Sequence, residues 1–174
     1  MAKVPRVVWL DYGKNGKVLA YLNQEKPHIG ACEVRPVPEG WGASSKRVPA
    51  EMIRELEDFE VVPVGHENKP MIHYKGLFFS HDTPVDCIRA LYRLYQNDDR
   101  VTLDLGNLET GESWHERYDV TGRVHASMGP VRIPILIYNS RSRGGGGILT
   151  GCILSIRYTG KNGSFLYKHK RKAA

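Results

Sequence analysis

The tetrapeptide Gly-Lys-Asn-Gly occurs twice, at residues 13–16 and 160–163, each time between runs in which apolar and polar side chains alternate. Asn-Gly supplies two consecutive residues that tolerate positive φ, as a type I′ turn requires, and the twist of paired antiparallel strands selects that turn. The spacing predicts a β-hairpin from Val7 to about Leu22 and a second from Cys152 to about Lys168. Shared turn chemistry explains the repeat more simply than duplication of a unit. In the second hairpin Cys152, Leu154, Ile156 and Tyr158 form one apolar face, and Ile153, Ser155, Arg157 and Thr159 a mixed one, so Arg157 is expected to project away from the core.

Further strands are expected over residues 101–105, 113–124 and 131–138, the first two joined by a Gly-rich turn at 106–111. Pro134 lies inside the last, which places that strand at an edge or beside a bulge. Residues 25–45 have no steady period and read as a long loop. Two segments read as helix. Thr83-Pro84-Val85-Asp86 can cap and start a helix over residues 84–96, whose Ile88, Leu91, Tyr92 and Tyr95 recur at helical spacing. A second, shorter helix is expected from Pro49, with Met52, Ile53, Leu56 and Phe59 on one face. The fold class is therefore α+β, an antiparallel β-rich single domain whose sheet is curled or barrel-like, with one or two packed helices. The expected organisation is one domain over residues 1–168 and a basic tail over 169–174.

Charge divides the chain. No acidic residue follows Asp119, and the last 55 residues carry ten Lys or Arg, so an acidic-leaning stretch over residues 1–119 precedes an acid-free basic β region over 120–168. Such asymmetry favours an anionic partner, because a one-signed surface concentrates opposite charge around itself. Arg141 and Arg143 precede four glycines in a connection between strands, where they can grip phosphate oxygens. Lys168, Lys170 and Arg171 belong to the terminal basic cluster, and Arg157 and Lys161 to the second hairpin. Tyr138 and Tyr158 are interleaved with these cations and could stack on bases. The partner expected is DNA or RNA, held by non-specific backbone contacts, with no cofactor and no catalytic residue.

Two alternatives follow from the same residues. A protein with an acidic or phosphate-binding face could be the partner, the chain then acting as an accessory or inhibitor of a nucleic-acid-handling complex, with the strand at 131–138 available for strand addition. A metal-dependent nuclease would need Asp104, Glu116 and Asp119 to converge with His81 or His115, yet local strand geometry puts Glu116 and Asp119 on opposite faces. His28, His66, His73 and His125 lack a companion at metal-ligand spacing. Cys32, Cys87 and Cys152 are odd in number and far apart, which fits buried thiols in a reducing cytosol. No apolar run is long enough for a leader or a membrane span, so no membrane partner is expected.

Overall fold

The computed structural model describes residues 6–26, 31–36, 45–64, 69–114, 120–127, 131–138, 145–160 and 162–170. It consists mostly of antiparallel strands with one α-helix among the described residues. The chain packs as two compact units, residues 1–78 with 128–132 and residues 79–127 with 133–174.

In the first unit β1 (Arg6–Asp11), β2 (Lys17–Lys26), β3 (Ala31–Pro36), β4 (Lys46–Pro49) and β5 (Ile53–Arg54) form a sheet in the order β4-β3-β2-β1-β5. Alternate residues Val8, Leu10, Ala20, Leu22, Cys32, Val34 and Val48 share one buried cluster, as strand periodicity dictates. The expected hairpin is present, pairing Arg6 with Leu22 through to Asp11 with Lys17. Its turn is not type I′. The Asp11 carboxylate accepts the Gly13 N–H at 2.8 Å, so positive φ falls at Gly13 and Gly16 and a short 3-10 turn covers Gly13–Asn15.

Two expectations fail in this unit. The stretch read as a long loop contains β3, which pairs with both β2 and β4. The second helix is absent: a 3-10 turn at Ala50–Met52 leads into β5, where Ile53 and Arg54 pair with Leu10 and Trp9. Met52 and Ile53 pack against the sheet's apolar cluster, so tertiary burial takes over residues that propensity assigns to helix. β6 (Val61–Val64), β7 (Lys69–Tyr74) and β8 (Leu77–Ser80) make a three-stranded sheet. His73 on β7 is buried, with Nδ1 2.9 Å from the Glu57 carbonyl and Nε2 accepting the Gly76 N–H at 3.0 Å. Both ring nitrogens are thus satisfied by backbone, which makes His73 a structural residue.

In the second unit α1 (Val85–Asn97) is followed by β9 (Arg100–Leu105), β10 (Val120–Ala126), β11 (Pro134–Tyr138), β12 (Gly145–Gly147), β13 (Ile153–Tyr158) and β14 (Phe165–Lys168). The sheet order is β12-β11-β10-β9-β13-β14. It ends at β12 and β14, and among the described residues no pairing closes it into a barrel. Helix α1 forms as its spacing predicts, burying Cys87, Ile88, Ala90, Leu91 and Leu94 and packing against β10 and β14. Pro84 rather than Thr83 is the N-cap residue, without a side-chain cap. Thr83 is drawn away because its hydroxyl donates to Thr150 Oγ1 at 2.9 Å, in a buried contact that also takes the Ser80 N–H at 3.0 Å. Asp98 ends the helix in the left-handed region, its N–H bonded to the Leu94 carbonyl.

In the second hairpin Asn162 and Gly163 both take the positive φ expected of them, 56° and 65°. Pro134 opens β11 as its first residue, and β11 is interior, flanked by β10 and β12. The edge expected at residues 131–138 is therefore taken by the three glycines of β12.

Candidate nucleic-acid interface

Two irregularities of register decide which side chains reach the open face of the six-stranded sheet. Between Ile153 and Ser155 the pairing of β13 with β9 shifts, leaving Leu154 as an extra residue, so Ile153 and Ile156 both turn inward to the core. The expected inner set of Cys152, Leu154, Ile156 and Tyr158 is broken at that bulge. A second shift lies between β13 and β14, where Ile156 pairs with Tyr167 and Arg157 with Phe165, leaving Leu166 extra. Tyr167 accordingly goes inward with Ile156, and Phe165, only two residues earlier, goes outward with Arg157.

The outer face then reads in cross-strand rows. Thr102 of β9, Arg157 of β13 and Phe165 of β14 form one row, and Asp104, Ser155 and Lys168 the next. Arg157 and Lys168 are exposed. Phe165 is 51% exposed, and Lys168 Nζ stands 4.4 Å from the centre of its ring. Thr102 Oγ1 lies 3.0 Å from Thr159 Oγ1 and 3.4 Å from Thr121 Oγ1, so hydroxyls carry the row towards β10. Arg123 of β10 stands directly across from Arg100 of β9, a like-charge pairing that costs stability. The Asp98 carboxylate offsets part of this repulsion, at 3.5 Å from Arg123 Nη1 and 3.4 Å from His125 Nε2. Thr102, Leu103, Asp104, Ser113, Ser155, Arg157 and Phe165 enclose a cleft of about 360 Å³.

A larger groove, about 980 Å³, adjoins at Lys168 and runs between α1, the turn after β9 and the end of β14. Arg89 and Arg93, one helical turn apart, meet Lys168 and Lys170 there, with Asp86 and Glu109 also on its walls. The His169 ring is fixed within it, Nε2 3.2 Å from the Leu108 carbonyl and Nδ1 3.4 Å from the Tyr167 hydroxyl. Burial, with the nearby Cys87 and Asp86, pushes the Tyr167 phenol up to about 12, so it stays protonated at neutral pH. The His169 N–H donates to the Leu154 carbonyl at 2.8 Å, which ties residue 169 to the sheet.

The residues named from sequence are thus placed unevenly. Arg157, Lys168 and Lys170 are exposed and line the cleft or the groove. Tyr158 pairs with buried Val101 on the inner face, away from Arg157. Tyr138 closes β11 opposite Gly122, and its side chain lies outside the described residues, as do Arg141, Arg143, Lys161 and Arg171. Of the nuclease set, His115, Glu116 and Asp119 also lie outside them, and among the described residues no cluster of three His, Cys, Asp or Glu could hold a metal. Arg89, Arg93, Arg100 and Phe165 escape a reading by sequence charge, since three of them fall in the acidic-leaning stretch and only the Leu166 bulge exposes the fourth. Among the described residues no helix is long and apolar enough to cross a membrane. No family model, no curated protein and no solved structure matches this chain.

Proposed function

We propose that this protein is a non-catalytic, cofactor-free, cytosolic single-strand nucleic-acid-binding protein, with the outer face of its six-stranded sheet and the adjoining groove as the contact surface. The observation that carries the reading is the placement of an exposed aromatic ring between two cations, Phe165 beside Arg157 and beneath Lys168, on a sheet face rich in hydroxyls. Bases stack on such rings while the neighbouring cations hold the backbone, a combination that serves single strands and not stacked duplexes. Lys168 lines the groove and its Nζ stands over the ring of Phe165, which lines the cleft, so a strand leaving Phe165 meets Lys170, Arg89 and Arg93 next. Arg141, Arg143, Lys161 and Arg171 extend the cationic set by sequence. Stacking, assigned to Tyr138 or Tyr158 from sequence, passes to Phe165 in this reading.

Fluorescence anisotropy with single-stranded and duplex oligonucleotides over a range of salt concentrations tests it. Single strands should bind better, with affinity falling linearly on log–log axes. Replacing Lys168 and Lys170 together with Ala should flatten the slope by about 1.4, or about 0.7 for each phosphate no longer neutralised. Absence of binding at low salt, or an unchanged slope in the double variant, would overturn the proposal.

A second reading, an accessory or inhibitory protein on a nucleic-acid-handling complex, draws on β12. Its three glycines put backbone donors and acceptors at a sheet edge without side chains in front of them, an arrangement suited to strand addition. That complex would resist nuclease treatment and persist at high salt, where contacts between exposed charges are screened.

A further inference from the structure

The cleft on the outer sheet face contains a carboxylate that phosphate binding leaves unexplained. Asp104 sits in the row next to Arg157 and Phe165, and among the described residues of these two rows the other charges, Arg157 and Lys168, are positive. Among the described residues its only partner is the Ser113 hydroxyl, which donates to Oδ1. Ser113 is itself positioned by a bridge to Gly106 at the end of β9. The same carboxylate makes no ion pair with a described Lys or Arg, although Arg157 stands on the neighbouring strand. Asp104 faces Ser155 and Arg157 faces Thr102, so the two charges are diagonal neighbours, about 7–8 Å apart at the backbone. An anion that repels phosphate costs affinity for a polyanion unless it accepts hydrogen bonds from the ligand.

We infer that the cleft bounded by Asp104, Ser113, Arg157 and Phe165 is a base-reading subsite for an unpaired guanine, an inference that rests on the single-strand reading above. Guanine is the one common base with two adjacent donors on its Watson–Crick edge, N1–H and the 2-amino group, which match the two oxygens of one carboxylate. Its other edge carries O6 and N7, both acceptors, which match the forked donors of an arginine. Asp104 and Arg157 therefore complement two adjacent edges of one base, and Phe165 supplies the surface on which that base stacks. Thymine and uracil offer one donor between two carbonyls, which the carboxylate repels. Adenine and cytosine offer an amino group beside a ring acceptor, so only one oxygen of Asp104 is satisfied. The cleft, about 360 Å³, is at the small end of ligand sites and suits one nucleoside. The Ser113 hydroxyl acts as a positioning group, fixing the carboxylate without contact to the base.

The test uses the full chain and oligothymidine nonamers with a thymine, guanine, adenine, cytosine or hypoxanthine base at the centre. Guanine should bind about tenfold tighter than thymine, and hypoxanthine, which lacks the 2-amino group, should lose much of that preference. Asp104→Asn should bring the guanine-to-thymine ratio close to one while the salt slope stays as in the wild type. Wild-type binding without a guanine preference, or an equal preference for hypoxanthine and guanine, overturns the subsite and leaves the single-strand reading standing. Failure of every nonamer to bind overturns both. Because the hypoxanthine comparison needs no substitution, an Asp104→Asn protein that does not fold still leaves the inference decided.

Discussion

Replacing Phe165 with Ala separates a ring that packs from a ring that binds. The side chain is 51% exposed on an edge strand, so about half of the area that a buried phenylalanine removes from water is already in water here. Truncating a fully buried phenylalanine costs about 3–5 kcal/mol, much of it for the cavity left behind. No cavity closes over a half-exposed ring, and folding stability should fall by about 1–2 kcal/mol, including the share of Lys168 Nζ at 4.4 Å. On the ligand side, one base stacked on an aromatic ring contributes about 1–3 kcal/mol, or about 5- to 150-fold in Kd. The assay is anisotropy at fixed salt with a single strand and with its duplex, alongside a urea melt of the free protein. Single-strand affinity should fall by that factor while duplex affinity and the salt slope stay put, and Phe165→Trp should restore binding. Equal losses on single strand and duplex, or an unchanged Kd in a folded variant, would refute the stacking assignment.

Thr150→Val should lower stability by about 1–3 kcal/mol, because the buried Oγ1 accepts both the Ser80 N–H and the Thr83 hydroxyl, and valine leaves both donors unpaired. A urea midpoint that falls with an unchanged m-value, and recovers in Thr150→Ser, is the expected result. The Cys87 thiol and the Tyr167 phenol are both pushed up to about 12 by burial, from ordinary values of 9.0 and 10.0. Between those values the native state holds protons that the unfolded chain releases, so stability is complete below pH 9 and falls as pH rises towards 12, by at most about 1.4 kcal/mol per pH unit for each group. Urea melts at pH 8 and pH 10.5 should show the loss, Cys87→Ala should remove the part that begins near pH 9, and a flat profile would contradict the burial of both groups.

Where local chemistry alone decides, the sequence is readable. Asn162-Gly163 takes the positive φ values that its turn requires, and α1 follows its apolar spacing to within a residue at each end. Reading fails where a tertiary partner overrides the local one. Thr83 has the right identity for a cap and is held instead by Thr150, 67 residues away in sequence. Met52 and Ile53 have helical spacing and are taken up by the sheet. In the first hairpin the competitor is only four residues from Asn15: the Asp11 side chain captures Gly13 N–H and displaces the turn from the Asn-Gly pair.

The candidate site is harder to read for a different reason, since a face assignment depends on parity and one extra residue reverses it. Strict alternation puts Phe165 and Tyr167 on the same side, yet the extra Leu166 sends Tyr167 into the core and Phe165 to solvent. The bulge at Leu154 acts likewise on β13: it brings Ile153 and Ile156 both inward and leaves Arg157 outward, where simple counting also places it. Charge obeys the same logic of neighbours over sequence. The acid-free stretch does not fold into an acid-free surface, because β9 is inserted between β10 and β13 and carries Asp104 into their midst, while Asp98 reaches Arg123 and His125 from the end of α1. Sequence asymmetry therefore overstates how uniformly positive the sheet is. Among the described residues that line the cleft Asp104 is the one acid, and a protein that only held backbone would bind more tightly with it replaced by a neutral residue.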